Sequence, residues 1–221
     1  MTVLHLADEG EAADLAAFLS RLLHYDRGAA VRLQAAGTAL AVFGRPPSFE
    51  VLAIRAVRLA KPYENGLDVT LDVTVSAGEL LETVDESAGT AAVPAAVTGP
   101  PWAGVLPPRG GWKPEPGLPE PERLRRLVAA SVAEFRSRTE QLAPEQRTRA
   151  ELDRVGREIW SRTVADTGLP VRAVHAAQSL RFLRGDDQAL FSSGSWLRLR
   201  TPYGSVAVRR SGVGTLGLSV R

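Results

Sequence analysis

Residues 67–84 read LDVTLDVTVSAGELLETV, and the reading of this stretch decides the fold class. Leu67, Val69, Leu71, Val73 and Val75 alternate with Asp68, Thr70, Asp72 and Thr74. That is the period of a strand with one buried and one wet face. Ser76 then stands three residues before Glu79, the spacing at which a hydroxyl caps the first turn of a helix, here carrying Leu80, Leu81 and Val84. A half-wet strand running into a capped helix predicts an antiparallel sheet flanked by helices, an α+β fold.

Upstream the same logic repeats. Thr2 to Leu6 predicts a short strand, and Asp8 with Glu11 caps a helix bearing Ala12, Leu15, Leu19, Leu22 and Leu23 at helical spacing. Val31, Leu33 and Ala35 alternate, Ala36-Gly37-Thr38 turns, and Leu40 to Phe43 returns; Phe49 to Leu59 reads as a buried strand. Residues 1–93 thus form a helix-flanked antiparallel lobe. Residues 94–118 are rich in proline and glycine, so no regular structure is predicted there. Trp102, Val105, Leu106 and Trp112 give that segment apolar bulk, which predicts an ordered strap on the sheet rather than a free linker.

Residues 119–221 read as a helical lobe ending in a hairpin. Pro121 opens a helix with Leu124, Leu127, Val128, Val132 and Phe135 on one stripe, and Pro144 opens a second with Leu152, Val155 and Ile159. Val171 to Leu183 is the third, followed by strands at Trp196 to Arg200 and Ser205 to Arg210.

Composition bounds the chemistry. The chain of 221 residues is 44% hydrophobic and 24% charged, ordinary for a folded protein. It has no cysteine, which excludes disulfides, thiolate metal sites and cysteine nucleophiles. The start lacks a basic residue followed by an apolar run, and no stretch approaches the roughly 20 apolar residues of a membrane span, so a cytoplasmic protein without membrane contact is expected. The net charge of +2 is split: residues 1–118 hold 9 basic and 14 acidic side chains, residues 119–221 hold 18 and 11. A basic half points to an anionic partner.

No catalytic or metal-binding constellation is found, and no cofactor is called. His5, His24 and His175 lack ligand spacing. Asp68 and Asp72 on one strand face would lie about 13 Å apart, too far to share a metal. Gly212-Val213-Gly214-Thr215-Leu216-Gly217 matches G-x-G-x-x-G, but the four residues that follow cannot make the helix whose N-terminus faces a pyrophosphate.

Three helices and a hairpin, with Gly168 between two helices and Ala173, Ala176, Ala177 and Leu180 as a small apolar face, resemble a winged helix-turn-helix over residues 121–210. The resemblance implies nucleic-acid binding. Arg172, His175, Gln178 and Arg181 would face a groove from the third helix, and Arg198, Arg200, Arg209 and Arg210 would hold phosphates from the hairpin. Residues 2–84, with one helix, several antiparallel strands and the run Ser-Ala-Gly-Glu-Leu-Leu, are similar in layout to one subdomain of a DNA sliding clamp, with no site residue carried across. The alternatives are an adaptor that binds a protein partner through the strap at Trp102 and Trp112, and an enzyme with a site between the lobes.

Overall fold

The structure is a computed structural model that describes residues 2–60 and 71–210. The first residues of the alternating stretch, Leu67 to Thr70 with Asp68, and the glycine run 212–217 lie outside the described residues.

The first helix, α1, spans Glu9–Tyr25 behind strand β1 (Val3–His5). Asp8 caps it, accepting a hydrogen bond from the Glu11 amide at 2.9 Å. Leu15, Phe18, Leu19 and Leu22 are buried along one stripe, each worth about 1.5–3 kcal/mol of transfer free energy. Strands β2 (Ala30–Ala36), β3 (Ala39–Gly44), β4 (Leu52–Arg58) and β5 (Asp72–Ser76) follow, then α2 (Ala77–Glu82), capped by Ser76 as its spacing predicts. Two short strands, β6 (Val84–Asp85) and β7 (Thr90–Ala92), join β1 in a three-stranded sheet.

The second half supplies β8 (Lys113–Glu115), α3 (Pro121–Glu140), α4 (Arg149–Trp160), α5 (Val171–Ser179), β9 (Ala189–Ser193), β10 (Trp196–Thr201) and β11 (Gly204–Arg209). Its strands do not stand apart. An eight-stranded antiparallel sheet runs β5-β2-β3-β4-β11-β10-β9-β8, and β11 pairs with β4 through Ser205↔Ile54, Val206↔Ala53 and Ala207↔Leu52. One core lies between this sheet and the helices. Val31, Leu33, Leu40, Val42, Leu197, Leu199, Val206 and Val208 meet Phe18 and Leu19 of α1, Val174 and Ala177 of α5, and Leu180 just after it. Gly204 is required at the β10–β11 turn: its φ is +155°, and a Cβ there would fall 2.5 Å from the Phe182 ring.

A buried ion cluster ties the two halves. Arg55 on β4 reaches Asp14 at 2.9 Å and Glu11 at 3.4 Å on α1, and donates to the Tyr203 carbonyl at 2.8 Å. Arg58 adds a bond to Glu11 at 2.8 Å.

The winged-helix expectation is corrected. A wing is a hairpin free to lie beside nucleic acid, whereas β10 and β11 are interior strands flanked by β9 and β4. The link between α4 and α5 covers residues 161–170 and carries a Thr163↔Pro170 bridge, instead of the 3–4-residue turn of a helix-turn-helix. Positive φ in that link falls on Ala165 at +46°, not on Gly168. A Cβ at Gly168 would meet the Leu197 side chain at 3.4 Å, close to ordinary van der Waals contact.

Other details also differ. Helix α5 stops at Ser179 because Arg181 takes a left-handed φ of +59°. Pro144 begins a single 3-10 turn, and α4 starts only after Thr148, which accepts from the Glu151 amide. Strand β8 forms in the proline- and glycine-rich region read as irregular, and it accommodates Pro114 because it is an edge strand.

Candidate functional site

The face of the large sheet turned away from the helices is apolar but not covered by a layer of secondary structure. Phe43, Leu52, Ile54, Trp196 and Ala207 form a second cluster there. The strap crosses this face from one edge of the sheet to the other. At the β5 edge the Val97 amide donates to the Thr74 carbonyl at 2.9 Å. A 3-10 turn at Pro101–Gly104 follows, and Arg32 of β2 donates to the Ala103 carbonyl at 2.6 Å. Trp102, Leu106 and Trp112 pack onto the cluster, with the Trp112 indole N–H donating to the Pro108 carbonyl at 3.0 Å. Ser193 donates to the Gly110 carbonyl at 3.2 Å, and the strap ends as β8 paired to β9. Each aromatic or backbone anchor thus fixes the strap at a few points and leaves gaps between them.

Of the grooves beside the strap, two are lined by the apolar cluster. One, of about 340 Å³, lies among Arg45, Trp102, Val105, Trp196 and Arg209. The other, of about 230 Å³, lies among Phe43, Ile54, Pro108, Arg109, Trp112 and Arg198. Val97 and Val105 on the strap stay 38% and 43% exposed, among the most exposed large apolar side chains of the described residues.

Arginines predominate on this face, with Glu50 in the first groove and Asp72 paired to Arg32 at 2.8 Å as acidic exceptions. Arg198 lies 5.7 Å from the centre of the Trp112 ring, Arg200 5.3 Å from Phe191 and Arg209 5.2 Å from Trp196. Burial, and then repulsion from Arg200, holds the Arg198 guanidinium below its usual range. Its buried Nε has no hydrogen-bond partner. Among the described residues no carboxylate lies within 4.0 Å of Arg198, Arg200 or Arg209, whereas Arg210 pairs with Glu115 at 2.6 Å. Aromatic rings beside unpaired guanidinium groups suit a ligand that offers both carboxylate and apolar side chains.

The predicted nucleic-acid residues do not converge. Arg198, Arg200 and Arg209 lie on the strap face, because Leu197, Leu199, Val206 and Val208, which alternate with them, point at the helices. Arg172, His175, Gln178 and Arg181 lie on or just past α5, on the other side of the sheet. They also divide among themselves. Arg172 joins Arg149, Arg157 and Trp160 in one groove, while His175, Gln178 and Arg181 line another with Arg136 and Arg184. His175 stacks on Trp160 at 4.6 Å and meets Phe49 edge-on at 5.1 Å; burial lowers its pKa, so at neutral pH it acts as an uncharged packing group. Sequence reading passed over Arg45 and Arg109 on the strap face and Arg21, Arg136 and Arg184 on the helix face. Only the clustering of arginines in space marks them, and no local spacing carries that signal.

Among the described residues no group of three or more His, Asp or Glu side chains is arranged to hold a metal, and no helix is long and apolar enough to cross a membrane.

Among solved structures, this chain is similar to two crystal structures of the DNA polymerase sliding clamp from Pseudomonas aeruginosa, one with a ligand. The TM-score is 0.49 for both, at 14% and 13% identity, over 94% of this chain and 64% of the clamp chains. The chain thus spans less than two thirds of the length of those clamps. No curated protein gives a significant match. Residues 1–104 match the model of a domain of unknown function, DUF8010, and residues 107–213 that of a second, DUF8185; their meeting point falls inside the strap, and neither is a winged-helix family.

Proposed function

We propose that the protein is an interaction module that docks an acidic, partly apolar segment of a partner protein on the strap face. The observation that carries this reading is Arg198: a part-buried guanidinium beside Trp112, in an apolar groove, with a buried, orphaned Nε and, among the described residues, no carboxylate within 4.0 Å. Leaving a buried donor unmatched typically costs about 1–3 kcal/mol, which a ligand carboxylate would recover. Arg200 and Arg209 flank it with the same chemistry, and the exposed Val97 and Val105 add apolar contact. The proline-rich strap is held in place before binding, so little ordering entropy opposes association.

A photo-crosslinking residue at Val105 tests the proposal in host cells. It should trap a discrete partner, and Arg198→Met should reduce the adduct at least severalfold. No adduct, or one indifferent to Arg198→Met, rejects the reading.

A further inference from the structure

The helix face holds a second cationic site that the strap face does not explain. A groove of about 730 Å³ opens between α3 and α5, with Val128, Ala129 and Val132 along one wall. Arg136 of α3 and Arg181 and Arg184, just beyond α5, line it together with Gln178 and Ser179. Arg21 of α1 stands close enough to Arg181 and Arg184 for their repulsion to act on it, after burial, in lowering its pKa.

These charges are poorly compensated. Arg184 reaches Asp14 only at 3.8 Å, and Asp14 is already engaged by Arg55 at 2.9 Å. Among the described residues no carboxylate comes within 4.0 Å of Arg21, Arg136 or Arg181. Some arginines elsewhere on the helical layer are matched, Arg138 with Glu158 at 2.7 Å and Arg162 with Glu134 at 2.6 Å, whereas Arg157 and Arg172 in the groove beside Trp160 also lack a carboxylate within 4.0 Å among the described residues.

The backbone at Arg181 is an independent observation. The Phe182 amide bonds the Ala177 carbonyl at 2.7 Å, and the Arg181 amide bonds the Gln178 carbonyl at 2.9 Å. These two bonds make a Schellman cap, with Arg181 in the left-handed position that glycine normally takes. An arginine is strained there, and glycine would relieve the strain. Strain of this kind concentrates where a side chain serves a ligand.

We infer that the groove between α3 and α5 binds phosphate groups, with Arg136, Arg181 and Arg184 as the guanidinium forks and Gln178 as a neutral donor. Planar guanidinium forks match phosphate oxygens in paired hydrogen bonds. The phosphates belong either to a nucleic-acid backbone or to a free polyphosphate, and the groove's chemistry is common to both.

Fluorescence anisotropy of a labelled 20-nucleotide single strand with the full chain, at about 50 and 200 mM salt, tests the site. Binding should weaken at the higher salt as counterions are no longer released to advantage. Arg136→Glu and Arg181→Gly should each weaken it about tenfold, the loss expected for one charge-assisted contact. Arg181→Gly should do so with an unchanged or raised Tm, which separates lost contact from lost folding. Arg138→Gln, which removes a charge that Glu158 already matches, should change nothing. Inorganic triphosphate is the second arm. Displacement of the strand at micromolar concentration, with the same sensitivity to the variants, assigns the site to free polyphosphate; binding of the strand without such displacement assigns it to a nucleic-acid backbone. The inference is overturned if neither probe binds at 50 mM salt, if the groove variants bind like the parent, or if Arg138→Gln weakens binding as much as they do. Crosslinking at Val105 is independent of all these outcomes.

Discussion

Arg55 and Arg198 are both largely buried arginines on adjoining stretches of one sheet, yet they face opposite sides of it and live in opposite circumstances. Arg55, on the helix face, is held by Asp14, Glu11 and the Tyr203 carbonyl. Arg198, on the strap face, lies beside Trp112 with no carboxylate within 4.0 Å among the described residues; the Nε of both arginines is unmatched, so the difference lies in the carboxylates alone. The first is placed as part of the scaffold, where α1, β4 and the β10–β11 turn meet. The second adds a buried charge to the free protein without an internal partner. A buried charge that the fold does not use is where a ligand has the most to offer.

The comparison breaks most visibly on removal of each side chain. Arg55→Ala leaves Asp14 and Glu11 short of a partner. It should lower unfolding free energy by about 3 kcal/mol, the low end for buried pairs because Asp14 still reaches water. Urea denaturation of the parent and the variant measures it. Arg198→Met strands no carboxylate and keeps apolar volume under Trp112, so stability should stay within about 1 kcal/mol or rise. If Arg198→Met proved as damaging as Arg55→Ala, the two sites would be equivalent and the distinction would fail.

A smaller effect comes from His175. Burial lowers its folded pKa below the unfolded value of about 6.5. The unfolded chain therefore takes up the proton first as pH falls. The stability held by the neutral ring is complete above about pH 6.5 and is lost as pH drops through the folded pKa. Glu158 does not obscure this window, because hydrogen bonds from Arg138 hold its carboxyl down at about 2. Stability should fall between pH 7 and 5 in the parent and fall less in His175→Phe, read as urea midpoints across that range. Equal slopes in the two proteins would remove the titration of His175 from the account.

Much of the local structure was legible. Asp8 and Ser76 cap their helices as the three-residue spacing to Glu11 and Glu79 foretold, because a cap needs only neighbours in sequence. Alternation placed Val73 and Val75 on the side of the sheet opposite Asp72 and Thr74. It also put Leu197 and Leu199 opposite Arg198 and Arg200, since that follows from the period of two. The site was less legible. Nothing within the hairpin says whether the leucines or the arginines look toward α5. Nothing in it says that β11 pairs with a strand some 150 residues earlier.

Local sequence, then, determined the element types, the helix starts and the two chemistries of each strand, because caps and periodicity are written over a few residues. Tertiary pairing decided the rest. By docking β11 onto β4 it turned a supposed wing into the middle of a sheet and put that sheet between two sets of arginines expected to act together. The physical reason is that strand pairing is satisfied by backbone groups common to every residue. Its partner is therefore chosen by how the whole apolar surface is buried.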